Sequence, residues 1–362
     1  MSTRRSFIKT TGLALAASSL PLYGLYKSNR QRKLGVALVG LGYYSTDLLA
    51  PALQLTQHCE LKGIVTGSPD KIPFWQEKYG IKDSNVYNYE NMHQIADNNE
   101  IDVVYIVLPN SLHKKYTIVG AEAGKHVWCE KPMAMDEEEC REMIKSCNKN
   151  KRKLTIGYRM QHEPVTQTII SWNKKKPYGS ISSIYAEAGF SMGSQNPEHW
   201  KKHKKLGGGA MFDMGVYPLN AVRYTTGLEP ISVSAKQQII REDLFTADEI
   251  TTFDLEFPGG IKASCRTSFA ENRNILDVKC TKGWFKVQPF QSYRGVKATS
   301  SDGKNISSYQ GNQQAKQMDE DALAIINNTE VLVPGEEGLR DIIIVDAIRK
   351  SASNNGNIVK LG

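Results

Sequence analysis

The sequence predicts an α/β protein with two domains, a parallel sheet in the N-terminal part and an α/β domain built on a large open sheet in the C-terminal part. The chain has 362 residues, which is enough for two domains of ordinary size. Its first part alternates short apolar runs with helical stretches, as a parallel sheet with right-handed crossovers requires. Its second part has segments in which apolar and polar residues alternate, which is typical of a sheet with one buried face.

Residues 1–33 have the layout of an export signal. The paired arginines Arg4 and Arg5 lead into an apolar run at residues 12–22 that is rich in small side chains. Because the order Arg-Arg-Ser-Phe-Ile-Lys is similar to a bacterial twin-arginine signal, we predict export to the periplasm by the twin-arginine machinery. We therefore assign residues 1–33 to a signal peptide and a short arm, and several cleavage points remain open.

Most of the net charge of +8 belongs to this N-terminal segment. The segment holds seven basic residues and no acidic one, and removing these seven from the 46 basic residues leaves 39 against 38 acidic residues. A nucleic-acid-binding protein needs a basic patch on its folded body, so we predict no nucleic-acid partner. No stretch reaches the roughly 20 apolar residues of a membrane span, so we predict no span.

The first domain, residues 34–157, opens with an apolar strand, a glycine turn and a helical stretch. The strand runs directly into Gly40-Leu41-Gly42. This context is what a dinucleotide-binding Rossmann fingerprint requires, because glycine lets the backbone approach a pyrophosphate. Ser45 stands where the fingerprint has its third glycine, and a tight turn that binds nothing is the alternative. Further strands are predicted at residues 61–65, 103–108 and 126–129.

The end of the second predicted strand favours NADP over NAD. NAD-selective sites usually carry an Asp or Glu there that binds the ribose hydroxyls. This chain has Thr66-Gly67-Ser68-Pro69-Asp70-Lys71 instead. Since hydroxyls and a lysine can hold a 2′-phosphate, Thr66, Ser68 and Lys71 are predicted cofactor contacts. A solvated Lys71 at the start of a helix is the alternative.

Further motifs follow one another along the chain in a recognisable order. They are LPNSLH at residues 108–113, AGKHV at 123–127, EKP at 130–132, IGYR at 156–159, GGG at 207–209, DMG at 213–215 with Tyr217, and PGEEG at 334–338. Together with Gly40-Leu41-Gly42 they resemble the Gfo/Idh/MocA oxidoreductases, and within that family the glucose–fructose oxidoreductase branch. The resemblance covers roughly residues 34–362. It implies a Rossmann domain followed by a substrate-binding and oligomerisation domain, residues 158–362, with a large open, mostly antiparallel sheet.

The resemblance implies that Lys131, Asp213 and Tyr217 carry the chemistry. Oxidising a sugar hydroxyl sends a hydride from carbon to a nicotinamide and a proton from oxygen to a base. Tyrosines, with a reference pKa of about 10, are poor bases near neutrality, but an adjacent ammonium stabilises a phenolate. Lys131 is implied as that ammonium, Tyr217 as the proton carrier, and Asp213 as the group that orients the sugar hydroxyl and the lysine. By spacing alone, a capping carboxylate and a core tyrosine are the alternative.

The remaining predicted contacts surround these three residues. The predicted cofactor contacts are Gly40, Gly42, Tyr43, Tyr44, Thr66, Ser68, Lys71, Leu108, Asn110, His113, Glu130, Lys131 and Arg159. The predicted substrate contacts are Lys131, Tyr158, Trp200, Asp213 and Tyr217.

His199 and His203 are four residues apart, a spacing that two metal ligands on one helix face can have. Four lysines surround them, cations oppose a bound cation, and the H-E-x-x-H pattern is not met. We therefore predict no metal site, and we interpret the lysine-rich run at residues 201–205 as a solvated loop at the edge of the substrate cleft.

These observations predict a periplasmic, NADP(H)-dependent and homo-oligomeric oxidoreductase that acts at C1 of an aldose. Hydride transfer from one sugar to another requires that the cofactor stay bound. The long arm that helps to retain NADP in the glucose–fructose branch is truncated or absent here, so a dehydrogenase with exchanging cofactor is an open alternative. The rivals from other classes are an NAD-dependent glycoside hydrolase of the same superfamily and a non-catalytic sugar sensor.

Overall fold

A six-stranded parallel sheet forms the N-terminal part of the structure, a computed structural model that describes residues 32–362. Its strands are β1 (Leu34–Val39), β2 (Cys59–Val65), β3 (Val86–Tyr87), β4 (Val103–Ile106), β5 (His126–Cys129) and β6 (Leu154–Ile156). The hydrogen-bonded order is β3-β2-β1-β4-β5-β6. Strands β2 and β3 are added on one side of β1 and strands β4 to β6 on the other, so the order of the strands switches between β1 and β4. Ligands of such sheets bind at this switch point, at the carboxyl ends of the strands.

A second sheet of nine strands follows. Its strands are β7 (Ile181–Gly189), β8 (Ser232–Gln238), β9 (Ile250–Glu256), β10 (Lys262–Ser268), β11 (Arg273–Cys280), β12 (Gly283–Val287), β13 (Ala298–Ser300), β14 (Asn305–Ile306) and β15 (Val359–Lys360). Their order is β14-β13-β12-β11-β7-β10-β9-β8-β15, and β7 and β10 pair in parallel while the other neighbours are antiparallel. The predicted fold class, a parallel Rossmann sheet plus a large, mostly antiparallel sheet, is confirmed.

One-sided alternation in the second sheet has the predicted physical cause. In β9, Phe253 and Leu255 are buried in the core, whereas Asp254 and Glu256 are exposed. A period of two puts all apolar side chains of a strand on one face, where burial stabilises the sheet.

Nine α-helices are present in residues 32–362. They are α1 (Ala50–Leu53), α2 (Ile72–Tyr79), α3 (His113–Glu122), α4 (Glu137–Lys149), α5 (Arg159–His162), α6 (Pro164–Lys175), α7 (Val216–Thr226), α8 (Gln313–Ile326) and α9 (Gly335–Ser353). Within these described residues, none of the helices combines the length and the apolar character that crossing a bilayer demands.

The turn after β1 depends on two small residues. Gly40 has a φ of +94°, and a Cβ at this position would lie 2.4 Å from the Val107 carbonyl oxygen, so a larger residue does not fit. Ser45, where the fingerprint has its third glycine, is buried and donates its hydroxyl to the Gly40 carbonyl at 2.6 Å. The Ser45 hydroxyl therefore stabilises the turn through a hydrogen bond that a glycine at this position could not make.

Helix α8 lies late in the sequence but packs against the first sheet. Met318 and Ala322 are fully buried in an apolar cluster with residues of β1, β2 and α1. The Asp319 carboxylate accepts hydrogen bonds from the backbone N–H groups of Gln57 at 2.9 Å and His58 at 2.8 Å. The chain thus returns to its first domain after completing most of the second sheet.

Asp321 of α8 makes stability depend on pH. Its side chain is 1% exposed and burial raises its pKa to about 7, although His162 Nε2, 3.9 Å from Oδ1, opposes this rise. Because the folded pKa lies above the unfolded value, this group favours folding below its unfolded pKa of about 4, and the contribution is lost as the pH rises through 7.

An Asp321→Asn variant is therefore expected to be more stable than the parent protein above pH 7, by up to about 4 kcal/mol at 1.36 kcal/mol per pKa unit. The difference should vanish near pH 4. Denaturant unfolding at pH 5 and pH 8 measures this, with the exposed Asp243→Asn as control. Equal effects of Asp321→Asn at both pH values would contradict the prediction.

Candidate active site

Predicted site residues converge at the carboxyl edge of the parallel sheet. Gly40 follows β1, Thr66 follows β2, Leu108 lies beyond β4, Lys131 lies beyond β5 and Arg159 lies beyond β6. Of these, Lys131 contacts Asp213 and Arg159 contacts Tyr217, both in the segment 209–217 of the second domain. The edge of the first sheet and this segment together form the candidate active site.

The three residues with assigned chemistry lie together. Lys131 Nζ donates to the Asp213 carbonyl oxygen at 2.6 Å and lies 3.4 Å from Asp213 Oδ1. The same nitrogen is 4.7 Å from the centroid of the Tyr217 ring. The side chains of Lys131 and Asp213 are each 11% exposed. The structure therefore brings an ammonium, a carboxylate and a phenol into one partly closed site.

The backbone that carries Asp213 is not regular α-helix. Residues Met211–Gly215 form a π-helical turn, and the α-helix begins only at Val216. A half-buried carboxylate holds this turn, since Asp248 Oδ2 accepts from the Met211 N–H at 2.8 Å. Such π turns recur at functional sites. Asp213 and Tyr217 approach Lys131 from this turn and from the helix after it.

Asp213 and Lys131 keep each other charged. Burial alone would raise the pKa of Asp213, but Lys201 and Lys131 outweigh it and hold the pKa at about 2. Burial would likewise lower the pKa of Lys131, but Tyr217 and Asp213 raise it above its ordinary value. At neutral pH the pair is thus an ammonium and a carboxylate.

Glu130 is a second acid at the same edge, with opposite behaviour. Burial raises its pKa to about 7, although its Oε1 accepts from the Tyr105 hydroxyl at 2.7 Å. The Glu130 carboxyl is therefore about half protonated near pH 7, whereas Asp213 stays ionised. Its side chain lies under the site with little exposure.

The sequence analysis did not assign two residues of the site. Lys201 Nζ is 2.7 Å from Asp213 Oδ2, and it belongs to the run that was interpreted as a solvated loop. Tyr293 lies in the segment between β12 and β13, where its ring centroid is 4.4 Å from the Arg159 guanidinium carbon and 6.3 Å from the Tyr44 ring. A lysine next to a tryptophan at a cleft was the only available signal for Lys201.

Arg159 is a buried residue that contacts two aromatic rings of the cleft, those of Tyr217 and Tyr293. It is 2% exposed and donates to the carbonyl oxygens of Gln291 and Ser292 and to Gln313 Oε1. Its guanidinium also lies 5.7 Å from the Tyr217 ring. Arg159 therefore holds the Tyr293 segment against the first domain.

Several predicted contacts lie inside the protein instead of in the cleft. His113 is fully buried, and its ring nitrogens bond the carbonyl oxygens of Leu108 and Pro132, both at 2.9 Å. Asn110 is 2% exposed and donates to the Gly207 carbonyl at 2.7 Å, which joins the two domains. Tyr158, predicted to touch substrate, is 2% exposed in the core. These side chains support the loops of the site.

The lysine-rich run is the predicted solvated loop only at Lys204 and Lys205, which are exposed. Lys202 is fully buried, and its Nζ donates to the carbonyl oxygens of Gln195 and Asn196 at 3.1 Å each. Trp200 begins a 3₁₀ turn and stacks on His199, with ring centroids 6.2 Å apart. Within residues 32–362, no three His, Cys, Asp or Glu side chains are grouped to hold a metal ion.

The residues around the glycine turn fit a dinucleotide. A Cβ on Gly42 would meet no atom within 4 Å, so the backbone there borders open space. This space is a cavity of about 420 Å³, and its lining includes Gly42, Tyr43, Asp70 and Lys71. Lys71 Nζ donates to the Leu41 carbonyl at 2.9 Å, which holds its charge beside the turn. Thr66 is 4% exposed, and its hydroxyl accepts from the Ser68 N–H at 3.0 Å.

Comparisons with known proteins agree with this geometry. Residues 34–158 match the family described as "Oxidoreductase family, NAD-binding Rossmann fold", and residues 167–286 match the "GFO/IDH/MocA C-terminal domain". An aldose-aldose oxidoreductase of Caulobacter crescentus, solved with glycerol, is 37% identical, superposes with a TM-score of 0.87, and is covered in full by 91% of this chain. The chain belongs to the Gfo/Idh/MocA oxidoreductase family.

Other members of the Gfo/Idh/MocA family are more distant. D-xylose 1-dehydrogenase [NADP(+)] of Haloarcula marismortui is 27% identical over 333 residues, which are 89% of this chain and 92% of that protein. The WlbA dehydrogenase of Bordetella pertussis, solved with NADH and UDP-GlcNAcA, has 19% identity and a TM-score of 0.76 over 91% of this chain and 99% of that one, and shows the fold alone. The family predicted from the motifs is confirmed, and the chain is an NAD(P)-dependent oxidoreductase.

Proposed function

We propose that this protein is an NADP(H)-dependent sugar oxidoreductase that moves a hydride between C1 of an aldose and the nicotinamide. The observation that carries the proposal is the contact of Lys131 with Asp213 and Tyr217 at the carboxyl edge of the Rossmann sheet. The names of two relatives, an aldose-aldose oxidoreductase and a D-xylose 1-dehydrogenase, support an aldose as the substrate.

The three residues have different parts in this reaction. A nicotinamide bound at the sheet edge supplies the hydride acceptor. Tyr217 takes the proton of the C1 hydroxyl and returns it when a carbonyl is reduced. Lys131 stays an ammonium, because its pKa is raised, and stabilises negative charge on the Tyr217 oxygen. Asp213, with a pKa of about 2, is too weak a base to take the proton and instead accepts a hydrogen bond from the sugar.

We propose NADP as the cofactor on the residues at the end of β2 and on Lys71 beside the glycine turn. Lys71 adds an ammonium there, and Thr66 and Ser68 stand at the end of β2 where NAD-selective sites carry an acid. Glu130 and Arg159, both buried beneath the mouth, would support the cofactor site from below.

A Lys71→Met variant is expected to bind NADP(H) about 10- to 100-fold more weakly, because a charge-assisted hydrogen bond contributes about 1.5–3 kcal/mol. Its affinity for NAD(H) should stay the same. Fluorescence titration with NADPH and NADH measures both constants, and Lys145→Met on the exposed side of α4 is a matched control. An equal loss for both nucleotides would contradict a role in 2′-phosphate recognition.

Whether hydride passes from sugar to sugar depends on retention of the cofactor. We propose retention, because an exported enzyme would meet little free NADP. Denaturing the purified protein and identifying the released nucleotide tests this. One NADP per chain, together with conversion of an aldose to a lactone and of a second aldose to an alditol without added nucleotide, supports the cycle. An empty protein that needs added NADP supports exchange, and a protein that oxidises no aldose under either condition refutes the function.

Export and assembly complete the proposal. The predicted twin-arginine signal peptide and its short arm occupy residues 1–33. Residues 1–31 of this segment lie outside the described residues. We propose that it directs the protein to the periplasm, which a double Arg4→Lys, Arg5→Lys variant tests by cell fractionation. We further propose a homo-oligomer formed through the exposed face of the second sheet, tested by light scattering. A wild-type protein found in the cytoplasm, or a monomer, would refute these two points respectively.

A further inference from the structure

The carboxylate of Asp213 is held between two lysines, and the shorter contact is not with the motif lysine. Lys201 Nζ lies 2.7 Å from Asp213 Oδ2, whereas Lys131 Nζ lies 3.4 Å from Oδ1. Lys131 makes its short bond, 2.6 Å, with the Asp213 backbone carbonyl. The ionised side chain of Asp213 is therefore paired mainly with Lys201.

Lys201 is held both at its ammonium group and at its backbone. Its ammonium lies 5.7 Å from the Phe190 ring centroid and 5.9 Å from that of Trp200, within the range of cation–π attraction. Its backbone carbonyl accepts from the Gly209 N–H at 2.8 Å, next to the π-helical turn that carries Asp213. Its side chain is 27% exposed. Lys201 thus sits in the cleft wall with a defined position relative to Asp213.

We propose that Lys201 is a positioning residue for the oxidation step, one that holds Asp213 ionised and fixes Oδ2 so that Oδ1 is left for Lys131 and the sugar hydroxyl. This role in the reaction rests on the proposed function. Without Lys201, both carboxylate oxygens are free to turn to Lys131. Lys131 would then be drawn towards Asp213 and away from the Tyr217 ring.

The charges around Asp213 set the direction of the expected effect. Burial favours the neutral acid, and of the groups that oppose burial Lys201 acts most strongly on the pKa of Asp213, followed by Lys131. His199 and Tyr293 also lie within electrostatic reach of this carboxylate. Removing the Lys201 charge leaves burial opposed by Lys131 as the main cation, so the pKa of Asp213 should rise.

The test compares Lys201→Met and Lys201→Gln with Lys201→Arg, and with Lys205→Met as a control in the same run. Carbon-13 NMR of protein labelled at the aspartate carboxyl carbon, assigned with Asp213→Asn, follows the Asp213 titration directly. Loss of one close cation is expected to raise the midpoint by about one pH unit or more. Lys201→Arg and Lys205→Met should leave it near the parent value.

Kinetics with an aldose provide the second readout. Asp213 binds the sugar hydroxyl and Tyr217 carries the proton, so the Lys201 variants should change KM more than kcat. KM for the sugar should rise about 10-fold in Lys201→Met and Lys201→Gln, the effect of a weakened hydrogen bond to a charged group, and the arginine variant should recover most of it. A lysine that only held the loop would leave the Asp213 titration in place.

An Asp213 midpoint that is unchanged in both Lys201→Met and Lys201→Gln would overturn the proposal. So would a parental KM for the sugar in variants that retain the fold by thermal unfolding. If no variant and no parent protein oxidises an aldose, the proposed function fails, and the carboxyl titration still decides whether Lys201 holds Asp213 ionised.

Discussion

A Tyr217→Phe variant should lose about 100- to 10,000-fold in kcat for aldose oxidation, the usual contribution of a positioned proton-transfer group. The ring that packs beside Lys131 remains, so the site keeps its shape while the oxygen that exchanges the proton is gone. Binding of NADPH should be unchanged. Steady-state kinetics and nucleotide titration on one preparation measure the two effects separately.

The matched control is Tyr185→Phe, which removes a hydroxyl from the exposed face of β7. It should have parental kcat and KM. A Tyr217→Phe variant with parental turnover would remove Tyr217 as the proton carrier. A variant that loses NADPH binding as well would show that the Tyr217 hydroxyl serves cofactor binding and not only proton transfer.

A Lys131→Met variant should have the other large effect, a fall in kcat of about 1,000-fold or more through lost electrostatic stabilisation and proton transfer. Lys131 is 11% exposed and contacts both the backbone and the carboxylate of Asp213. Its removal takes away the ammonium beside Tyr217 and one of the two cations that keep the pKa of Asp213 low. KM for the sugar should rise in the same variant.

The exposed residue Lys279 on β11 offers a control with the same charge change, Lys279→Met, which should behave like the parent. Thermal unfolding identifies any loss of fold in Lys131→Met. A kcat that stays near the parent value in a folded Lys131→Met variant would contradict the role of Lys131 as the ammonium beside Tyr217.

The core elements of the fold were predictable from the sequence because each has a local cause. The apolar runs became β1, β2, β4 and β5, and the alternating segments of the second part became strands of the second sheet. The short strands β3, β6, β13, β14 and β15 have two or three residues each, too few for a period to appear. They form because a neighbouring strand offers hydrogen bonds, which no local pattern records.

The site was predictable as far as its motifs reached. Lys131 and Asp213 stand in motifs; topology placed Lys131 at the sheet edge, and the family resemblance implied that Asp213 acts beside it. Lys201 and Tyr293 entered the site through loops whose paths depend on tertiary packing. The composition of residues 201–205 indicated solvent, yet Lys202 is buried on a set of backbone carbonyls. A lysine ammonium needs hydrogen-bond acceptors, and for Lys202 the backbone carbonyls of a buried turn supply them in place of water.

The return of α8 to the first sheet limits how this enzyme can be engineered. A chimera that exchanges residues 34–157 for another cofactor module would leave Met318 and Ala322 facing a foreign surface. It would also leave the Asp319 carboxylate without the N–H groups of Gln57 and His58. Swapping nucleotide preference between relatives therefore requires transplanting α8 along with the module, although some 150 residues of intervening chain stay in place.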